Sequence, residues 1–362
     1  MSSSQTYSPF RSVLLREWRR MTSRRLYLCV CIILPLFTLF FMATIFGNGQ
    51  MENIPIGIVD QDNTASSRAI TRNISAVPTF KVTRHFVNEE AARKAVQKKE
   101  IYGYLSIPPK FEQDAISGKN ATLSYYYHYA LLSVGGELMA AFETSLAPVS
   151  LSPIVMQAVA LGVEQDKITT FLLPVQASNH PIYNPSLDYS VYLSQPFFFV
   201  LFQVLILLIT VYAVGIEIKF RTADEWLFVA KGNMVTAVLG KLLPYTIIFI
   251  LIGWLANYVM FGILHIPFQG SWLLMNMLTA LFVVATQALG LFLFSLFPAI
   301  SLIISIVSMV GSLGATLSGV TFPVTNMYPL VRDASYLFPV RHFTEMMQNM
   351  LYGGSGFIHL WP

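Results

Sequence analysis

The sequence predicts a polytopic α-helical membrane protein with an α/β domain inserted after its first membrane-spanning segment. Hydrophobic residues make up 54% of the chain, charged residues only 12%, and the mean hydropathy is +0.57. The 90 residues from Leu242 to Val331 contain no Lys, Arg, Asp or Glu. A water-facing helix needs a polar stripe, whereas hydrocarbon is crossed about once per 20 apolar residues. Strand and helix patterns alternate between residues 51 and 189.

Residues 1–25 are predicted to form an amphipathic helix in the cytoplasmic membrane interface. Its apolar residues share one helical face, and three arginines lie on the rest: Phe10, Val13, Leu14, Trp18 and Met21 against Arg16, Arg19 and Arg20. Six arginines against one acid give 6 − 1 = +5 before the first span. Excess positive charge of this kind predicts a cytoplasmic N-terminus.

Five spans are predicted from apolar runs of sufficient length, at residues 26–46, 191–216, 237–263, 273–297 and 299–320. Pro35 is expected to kink the first span, and Cys29 and Cys31 are interpreted as inert packing residues. The small residues Gly311 and Gly314 indicate a close helix contact of the fifth span. Residues 217–236 form a polar cytoplasmic segment with room for one short helix, and residues 321–362 are predicted to lie outside as short helices.

The segment 51–189 is predicted to be an extracytoplasmic α/β domain with a helical stalk. Strand patterns occur at 54–59, 82–86, 102–107 and 123–129, and helical patterns at 66–74, 88–99 and from 134 to about 162. Such alternation favours a small α/β domain. Asp60 and Asp62 are interpreted as turn or cap residues rather than as a cation site.

Several functional classes find no support in the residues. No phosphate-binding loop of the G-x-x-x-x-G-K-[ST] type occurs, so any ATP chemistry requires another chain. The last three spans carry no ionisable residue apart from Lys241 at an edge, which argues against ion-driven transport and intramembrane hydrolysis. No G-x-S-x-G elbow is present. The sequence therefore predicts no catalytic residue, no metal ligand and no nucleic-acid partner.

The order of several short motifs resembles that of the ABC-2 type transporter permeases with a large domain after the first span. These motifs are Ile56–Asp62, Tyr102–Pro108 with Phe111, Tyr183–Pro185, Gly240–Tyr245 and Ser318–Pro323, followed by Pro329, Pro339 and Gly353. The resemblance covers nearly the whole chain.

The resemblance implies the membrane subunit of an ATP-driven exporter in the bacterial inner membrane, moving a drug-like, lipid-like or other amphiphilic substrate. It implies a separate cytoplasmic ABC ATPase that binds ATP and Mg, and a second copy or a paralogous permease. A periplasmic adaptor and membrane lipids are further expected partners. The residues expected to couple to the ATPase are Arg16, Glu17, Glu217, Arg221, Asp224, Glu225 and Trp226. The outer gate or structural residues are Gly319, Phe322, Pro323, Pro329 and Pro339.

The sequence departs from the family pattern in two places. Lys219–Trp226 replaces the Glu- and Arg-rich stretch that usually leads to Gly-Thr in this loop. The family usually has six spans, and the sequence ends at Trp361-Pro362, where a sixth would begin. An alternative function is a membrane-anchored receptor or envelope assembly factor whose outer domain binds a ligand.

Overall fold

The computed structural model describes residues 8–45, 49, 51–117, 121–131, 133–146, 184, 188 and 190–353. The chain divides into two compact units. The membrane unit comprises Met1–Gly49 and Asp188–Pro362, and the α/β domain comprises Gln50–Leu187. Residues 147–162 of the predicted stalk, residues 354–362 of the tail and the Tyr183 and Pro185 positions lie outside the described residues.

Five helices within the described residues are long and apolar enough to cross a membrane, as the sequence predicts. Span 1 covers Arg25–Ile45, span 2 Ser190–Lys219, span 3 Met234–Ile263, span 4 Trp272–Leu296 and span 5 Ile300–Leu317. Each predicted end lies within three residues of the end in the structure. Apolar length defines a span well because the helix must cover the hydrocarbon thickness.

Three of the spans contain a π-helical turn. These turns lie at Cys29–Ile33 in span 1, at Ser190–Ser194 in span 2 and at Tyr258–Ile263 in span 3. The turn in span 1 comes directly before Leu34–Ile45, whose second residue is Pro35. Proline lacks the N–H that an α-helix needs at that point, and a π turn is one way in which a span accommodates it.

Span 2 is the most deeply buried span because it packs against both span 4 and span 5. Gly311 brings span 5 close to it, since a Cβ built at that glycine would lie 2.6 Å from Val204 Cγ2. The small-residue pattern therefore predicted this helix contact correctly. Phenylalanines fill the centre of the bundle, with the Phe198, Phe199 and Phe202 rings of span 2 fully buried.

Shorter helices flank the spans of the membrane unit. The interface helix Pro9–Ser23 packs on span 3, the linker helix Ala223–Val229 lies between spans 2 and 3, and the tail helices Pro329–Ser335 and Pro339–Gln348 follow span 5. A 3₁₀ turn, Val324–Asn326, precedes the tail helices, and a π turn, Asn349–Gly353, follows them. The second tail helix begins at Pro339, because proline fits the first turn of a helix.

The α/β domain contains a four-stranded sheet in the order β2-β1-β3-β4. Its strands are β1 Ile54–Asp60, β2 Phe80–Phe86, β3 Gly103–Ile107 and β4 Ser124–Tyr127. β1 pairs in parallel with β2 and β3, and β4 pairs antiparallel with β3. The helices are Ala65–Ser75, Glu89–Gln97, Phe111–Ile116 and 133–146. The predicted alternation of strands and helices is thus confirmed for the described residues.

Asp60 and Asp62 act as the turn and cap residues that the sequence predicts. Asp60 Oδ1 accepts hydrogen bonds from the backbone N–H groups of Asp62 and Asn63, both at 3.0 Å. Asp62 Oδ2 accepts from Thr64 Oγ1 at 2.6 Å and from the N–H of Glu112 at 3.1 Å. These bonds fix the loop that starts the helix Ala65–Ser75.

Candidate functional site: a buried ion cluster and an exposed linker helix

The buried face of the interface helix contains an acidic residue. Val13, Glu17 and Met21 recur every four residues and are buried, so they form one stripe that packs on span 3. Gly240 permits this approach, since a Cβ there would lie 3.0 Å from Val13 Cβ. The sequence predicted an apolar stripe at Phe10, Leu14 and Trp18 as well, but Phe10 and Trp18 are exposed. A stripe that includes Glu17 requires a buried cation opposite it.

Lys241 of span 3 supplies that cation. Its Nζ lies 2.6 Å from Glu17 Oε2 and 2.7 Å from Glu217 Oε1, and all three side chains are buried. Tyr245, one helical turn further along span 3, donates a hydrogen bond from its hydroxyl to Glu17 Oε1 at 2.7 Å. Lys241, which the sequence places near the edge of span 3, is therefore the central residue of a buried group of charges.

Glu217, near the end of span 2, collects the remaining cations. Arg16 donates from both Nη atoms to the two carboxylate oxygens of Glu217, at 2.8 and 3.2 Å. Arg20 Nη1 pairs with Glu217 Oε1, and Thr222 Oγ1 donates to Glu217 Oε2. Bidentate arginine–carboxylate pairs combine strength with fixed geometry. We call Arg16, Glu17, Arg20, Glu217 and Lys241 the ion cluster.

The ion cluster carries three cations and two anions, so its net charge is 3 − 2 = +1. Burial opposes the charge on Arg20, but Glu217 and then Glu17 outweigh it, and the pKa of Arg20 is raised above its ordinary value. A buried ion pair stabilises a protein only when its charged groups are well oriented and hydrogen-bonded. Removing one partner lowers the stability strongly, because the other charge is left buried and unpaired. The cluster therefore links the interface helix, the end of span 2 and the start of span 3 into one unit.

The linker helix is attached to this unit by its one buried aromatic residue. Trp226 is buried, its Nε1 donates to the carbonyl of Ala237 at 3.1 Å, and Lys241 Nζ lies 5.2 Å from its ring centroid. On the opposite side Asp224 and Glu225 are exposed, and the Phe228 side chain is 84% exposed. The exposed side of the linker helix therefore combines one aromatic side chain with two carboxylates.

The structure separates the seven predicted coupling residues into two groups. Arg16, Glu17 and Glu217 lie in the ion cluster, and Trp226 is buried beside it. Arg221, in a left-handed conformation with φ of 56°, is exposed with Asp224 and Glu225. Sequence reasoning missed Arg20, Tyr245, Thr222, Phe228 and the central place of Lys241. The usable signals were a glutamate on the apolar stripe of a helix and a single lysine within an apolar run.

A second polar cluster lies at the other end of the same spans. Asn257 of span 3 accepts a hydrogen bond from Gln195 Nε2 of span 2 at 3.2 Å. Its own Nδ2 donates to Asn276 Oδ1 at 3.2 Å and to Thr279 Oγ1 at 2.9 Å in span 4. We call these four residues the amide cluster. It joins spans 2, 3 and 4 without any charge.

The predicted outer gate or structural residues follow span 5. Gly319 has φ of +85°, a left-handed conformation that suits glycine at a helix end, and Phe322 is half exposed. Pro329 and Pro339 are each the first residue of a tail helix, and Pro323 directly precedes the 3₁₀ turn. Among the described residues, no group of three or more His, Cys, Asp or Glu side chains could hold a metal ion.

Comparisons with known proteins identify the family of the chain. The model of the family described as "ABC-2 family transporter protein" matches residues 25–362. The chain belongs to this family. It is 21% identical to the inner membrane transport permease YhhJ of Escherichia coli K12, over 96% of this chain and 90% of that protein. It is 22% identical to the probable multidrug ABC transporter permease YbhS of the same organism, over 95% and 89%. No solved structure matches the chain significantly.

This ABC-2 chain is thus a multi-pass membrane protein related to transport permeases. Neither relative's name describes an enzyme. The family match confirms the resemblance that the motif order indicated.

Proposed function

We propose that this ABC-2 permease is the membrane-spanning subunit of an ATP-driven exporter, and that a separate ABC ATPase binds ATP and Mg. The family membership supports a transport role, and the sequence has no phosphate-binding loop of its own. In this proposal the interface helix and the linker helix face the cytoplasm, as the positive N-terminus favours. The α/β domain lies outside the bacterial inner membrane, and a second copy or a paralogue completes the pathway.

The ion cluster is the observation that carries the proposal. A cytoplasmic motor must displace membrane helices, so the surface it touches has to be rigidly connected to them. The linker helix meets this requirement because Trp226 packs beside Lys241, and Lys241 in turn binds both the interface helix and span 2. A push on the linker helix would therefore move the ends of spans 2 and 3 together.

The docking surface of the ATPase would consist of Phe228, Asp224 and Glu225. Phe228 supplies an aromatic side chain that can enter an apolar pocket, and the two carboxylates can pair with cations at its rim. Arg16, Glu17 and Glu217 would not touch the ATPase, since their side chains pair with one another and with Lys241. They would instead connect the linker helix to the spans. This assigns different tasks to residues that the sequence placed in one set.

The substrate would be an amphiphilic or hydrophobic molecule, exported from the cytoplasm or the inner leaflet. The spans carry few charges, and the relative YbhS is named as a probable multidrug permease. Alternating exposure of a path between two paired permeases would move it, and a periplasmic adaptor could extend that path. No covalent step is required of this chain.

Copurification with activity measurement tests the proposal. The tagged chain is purified from its host in nanodiscs, copurified proteins are identified, and ATPase activity is assayed. Phe228→Ser and Glu225→Lys are expected to lower ATPase recovery and stimulation roughly tenfold or more, as for central interface residues. Tyr328→Ser, an exposed aromatic change in the tail of the membrane unit, serves as the matched control.

Recovery of an ATPase whose activity depends on its phosphate-binding lysine would support the exporter. Unchanged stimulation and export in both linker variants would reject the docking surface. A folded preparation without any ATPase would favour the receptor alternative instead.

A further inference from the structure

The start of span 1 and the end of span 2 meet at one aromatic ring. Arg24 lies in an extended conformation at the bend between the interface helix and span 1, and Lys219 is the last residue of span 2. Arg24 Cζ lies 5.6 Å from the centroid of the Phe220 ring, and Lys219 Nζ lies 5.9 Å from the same centroid. Aromatic rings attract cations at such distances. The ring therefore holds two positive charges, one from each span, near each other.

Both cations are open to the surroundings. Arg24 and Lys219 are exposed, and the Phe220 side chain is 54% exposed. The carboxylates of the neighbouring ion cluster pair with the cations of that cluster. No ion pair within the described residues includes Arg24 or Lys219. An anion from outside the chain can therefore reach both cations without displacing a carboxylate.

Exposed apolar side chains lie beside the two cations. Leu26, two residues after Arg24, is 52% exposed, and Ile218, directly before Lys219, is 48% exposed, although span 2 is mostly buried. Spans 1 and 2 also contact each other within the membrane unit. This combination of apolar span ends and flanking cations is typical of residues at the level of lipid headgroups.

The charge of this surface determines which kind of ligand it fits. Two cations near one ring repel each other, and a phosphate that accepts hydrogen bonds from both removes the repulsion. Guanidinium and ammonium groups both bind phosphate well. A zwitterionic headgroup brings a cation of its own, whereas a headgroup with net negative charge is attracted by each Lys or Arg near the membrane surface. Charge complementarity therefore favours an anionic lipid.

We propose that Arg24 and Lys219 bind the headgroup phosphate of an anionic phospholipid, in the leaflet at the ion-cluster end of the bundle. The acyl chains lie along the exposed side chains of Leu26 and Ile218. The lipid connects the start of span 1 to the end of span 2 at the surface of the bundle, whereas the ion cluster connects span 2 to the interface helix in its interior. The site uses no residue of the ion cluster or of the proposed docking surface, so it does not depend on the ATPase.

Lipid titration of the purified full chain tests this site. Native mass spectrometry in mild detergent measures the apparent affinity for phosphatidylglycerol and, separately, for phosphatidylcholine with the same acyl chains. The wild type is expected to prefer phosphatidylglycerol. Arg24→Gln and Lys219→Gln should each weaken phosphatidylglycerol binding roughly fivefold, and the double variant roughly twentyfold, because each cation attracts the headgroup separately. Binding of phosphatidylcholine should change little in all three variants.

The control variants separate charge from other effects of substitution. Lys98→Gln, which removes an exposed lysine of the α/β domain, is the matched control for Lys219→Gln and should keep the full preference. Arg24→Lys and Lys219→Arg keep both charges, so they should keep most of the preference. All these side chains are exposed, and an unchanged unfolding temperature of each variant verifies that the fold is intact.

Equal affinity of the wild type for the two lipids would overturn the proposal, as would a full preference in the double variant. Displacement of phosphatidylglycerol by glycerol 3-phosphate at similar concentrations would identify a soluble anion and reject the lipid. A double variant that no longer recovers an ATPase but keeps the lipid preference would show that the two cations face a protein partner instead.

Discussion

The ion cluster and the amide cluster both join span 2 to span 3, at opposite ends of the bundle, but they differ in charge and in reach. The ion cluster adds the interface helix and the linker helix, whereas the amide cluster adds span 4. The charged partners lie 2.6 to 2.8 Å apart and interact strongly. Removing one of them leaves a buried charge without its partner and destabilises the protein. Hydrogen bonds between neutral amides contribute less stability, and the loss of one of them costs less. The comparison suggests that the charged end moves as one block, while the amide end can rearrange.

The largest expected effect comes from breaking the ion cluster at Glu217. Glu217→Gln leaves Arg16, Arg20 and Lys241 with Glu17 as their only anion in the described part of the chain, so three buried or partly buried cations repel one another. Loss of a buried ion partner typically costs about 3–5 kcal/mol of unfolding free energy. Thermal unfolding in detergent measures the change through the fluorescence of the five tryptophans, of which Trp226 lies beside Lys241.

The control for this change is Glu225→Gln, which alters an exposed carboxylate of the linker helix and should change stability by less than about 0.5 kcal/mol. The double variant Glu217→Gln with Lys241→Gln removes one charge of each sign and should lose less than the sum of the two single changes. A Glu217→Gln variant as stable as its control would contradict the account of the cluster.

An intermediate effect is expected at the centre of the amide cluster. Asn257→Leu keeps a similar volume but removes the hydrogen bonds to Gln195, Asn276 and Thr279. The expected loss is about 1–2 kcal/mol, because polar contacts between spans are individually weak. The same unfolding assay applies, with the exposed Asn326→Leu as control. A loss equal to that of Glu217→Gln would remove the distinction between the two clusters.

The smallest effect concerns a buried carboxylate that forms no ion pair with a cation among the described residues. Glu137, in the helix 133–146 of the α/β domain, is 9% exposed, and burial alone raises its pKa. An acid whose pKa is raised on folding stabilises the fold below its unfolded pKa, and this contribution disappears as pH rises through the folded pKa. Glu137→Gln should therefore stabilise the domain at pH 7 and have little effect near pH 4.

Hydrogen exchange of the β3 amides of Leu105 and Ile107 measures this difference in the full chain, because Leu105 lies in the same core as Leu138. Comparing the variant with the wild type at each pH cancels the intrinsic exchange rates. Equal protection at both pH values would show that the environment of Glu137 does not disfavour its charge.

Long apolar runs and alternating patterns made most of the fold predictable. The run without charges from Leu242 to Val331 indicated the last spans, and Ile54–Val59 indicated β1 to within one residue. Both signals are local, because hydrocarbon thickness and strand pairing act on consecutive residues. The role of Asp60 in a turn was also predictable, since its partners are two and three residues away.

The ion cluster was not predictable in the same way. Arg16 and Glu217 are 201 residues apart in the sequence, and periodicity cannot identify partners at that distance. Helical spacing placed Arg16 and Arg20 on the solvated side of the interface helix, whereas their guanidinium groups reach Glu217. Lys241 was discounted because one lysine near the end of a span usually extends to the interface.

The sequence separation within the ion cluster also has a consequence for biosynthesis. Glu17 cannot meet Lys241, which lies 224 positions further along the chain, until the ribosome has made that stretch, which takes roughly 10 to 45 s at ordinary elongation rates. During that time Glu17 lacks Lys241 and can pair with Arg20 of its own helix, whose Nη1 lies 3.9 Å from Glu17 Oε2. The newly made helix therefore waits at the lipid surface without its partner on span 3. Span 1 and the whole α/β domain are synthesised within that interval, so assembly of the N-terminal segment is a late event in the maturation of the chain.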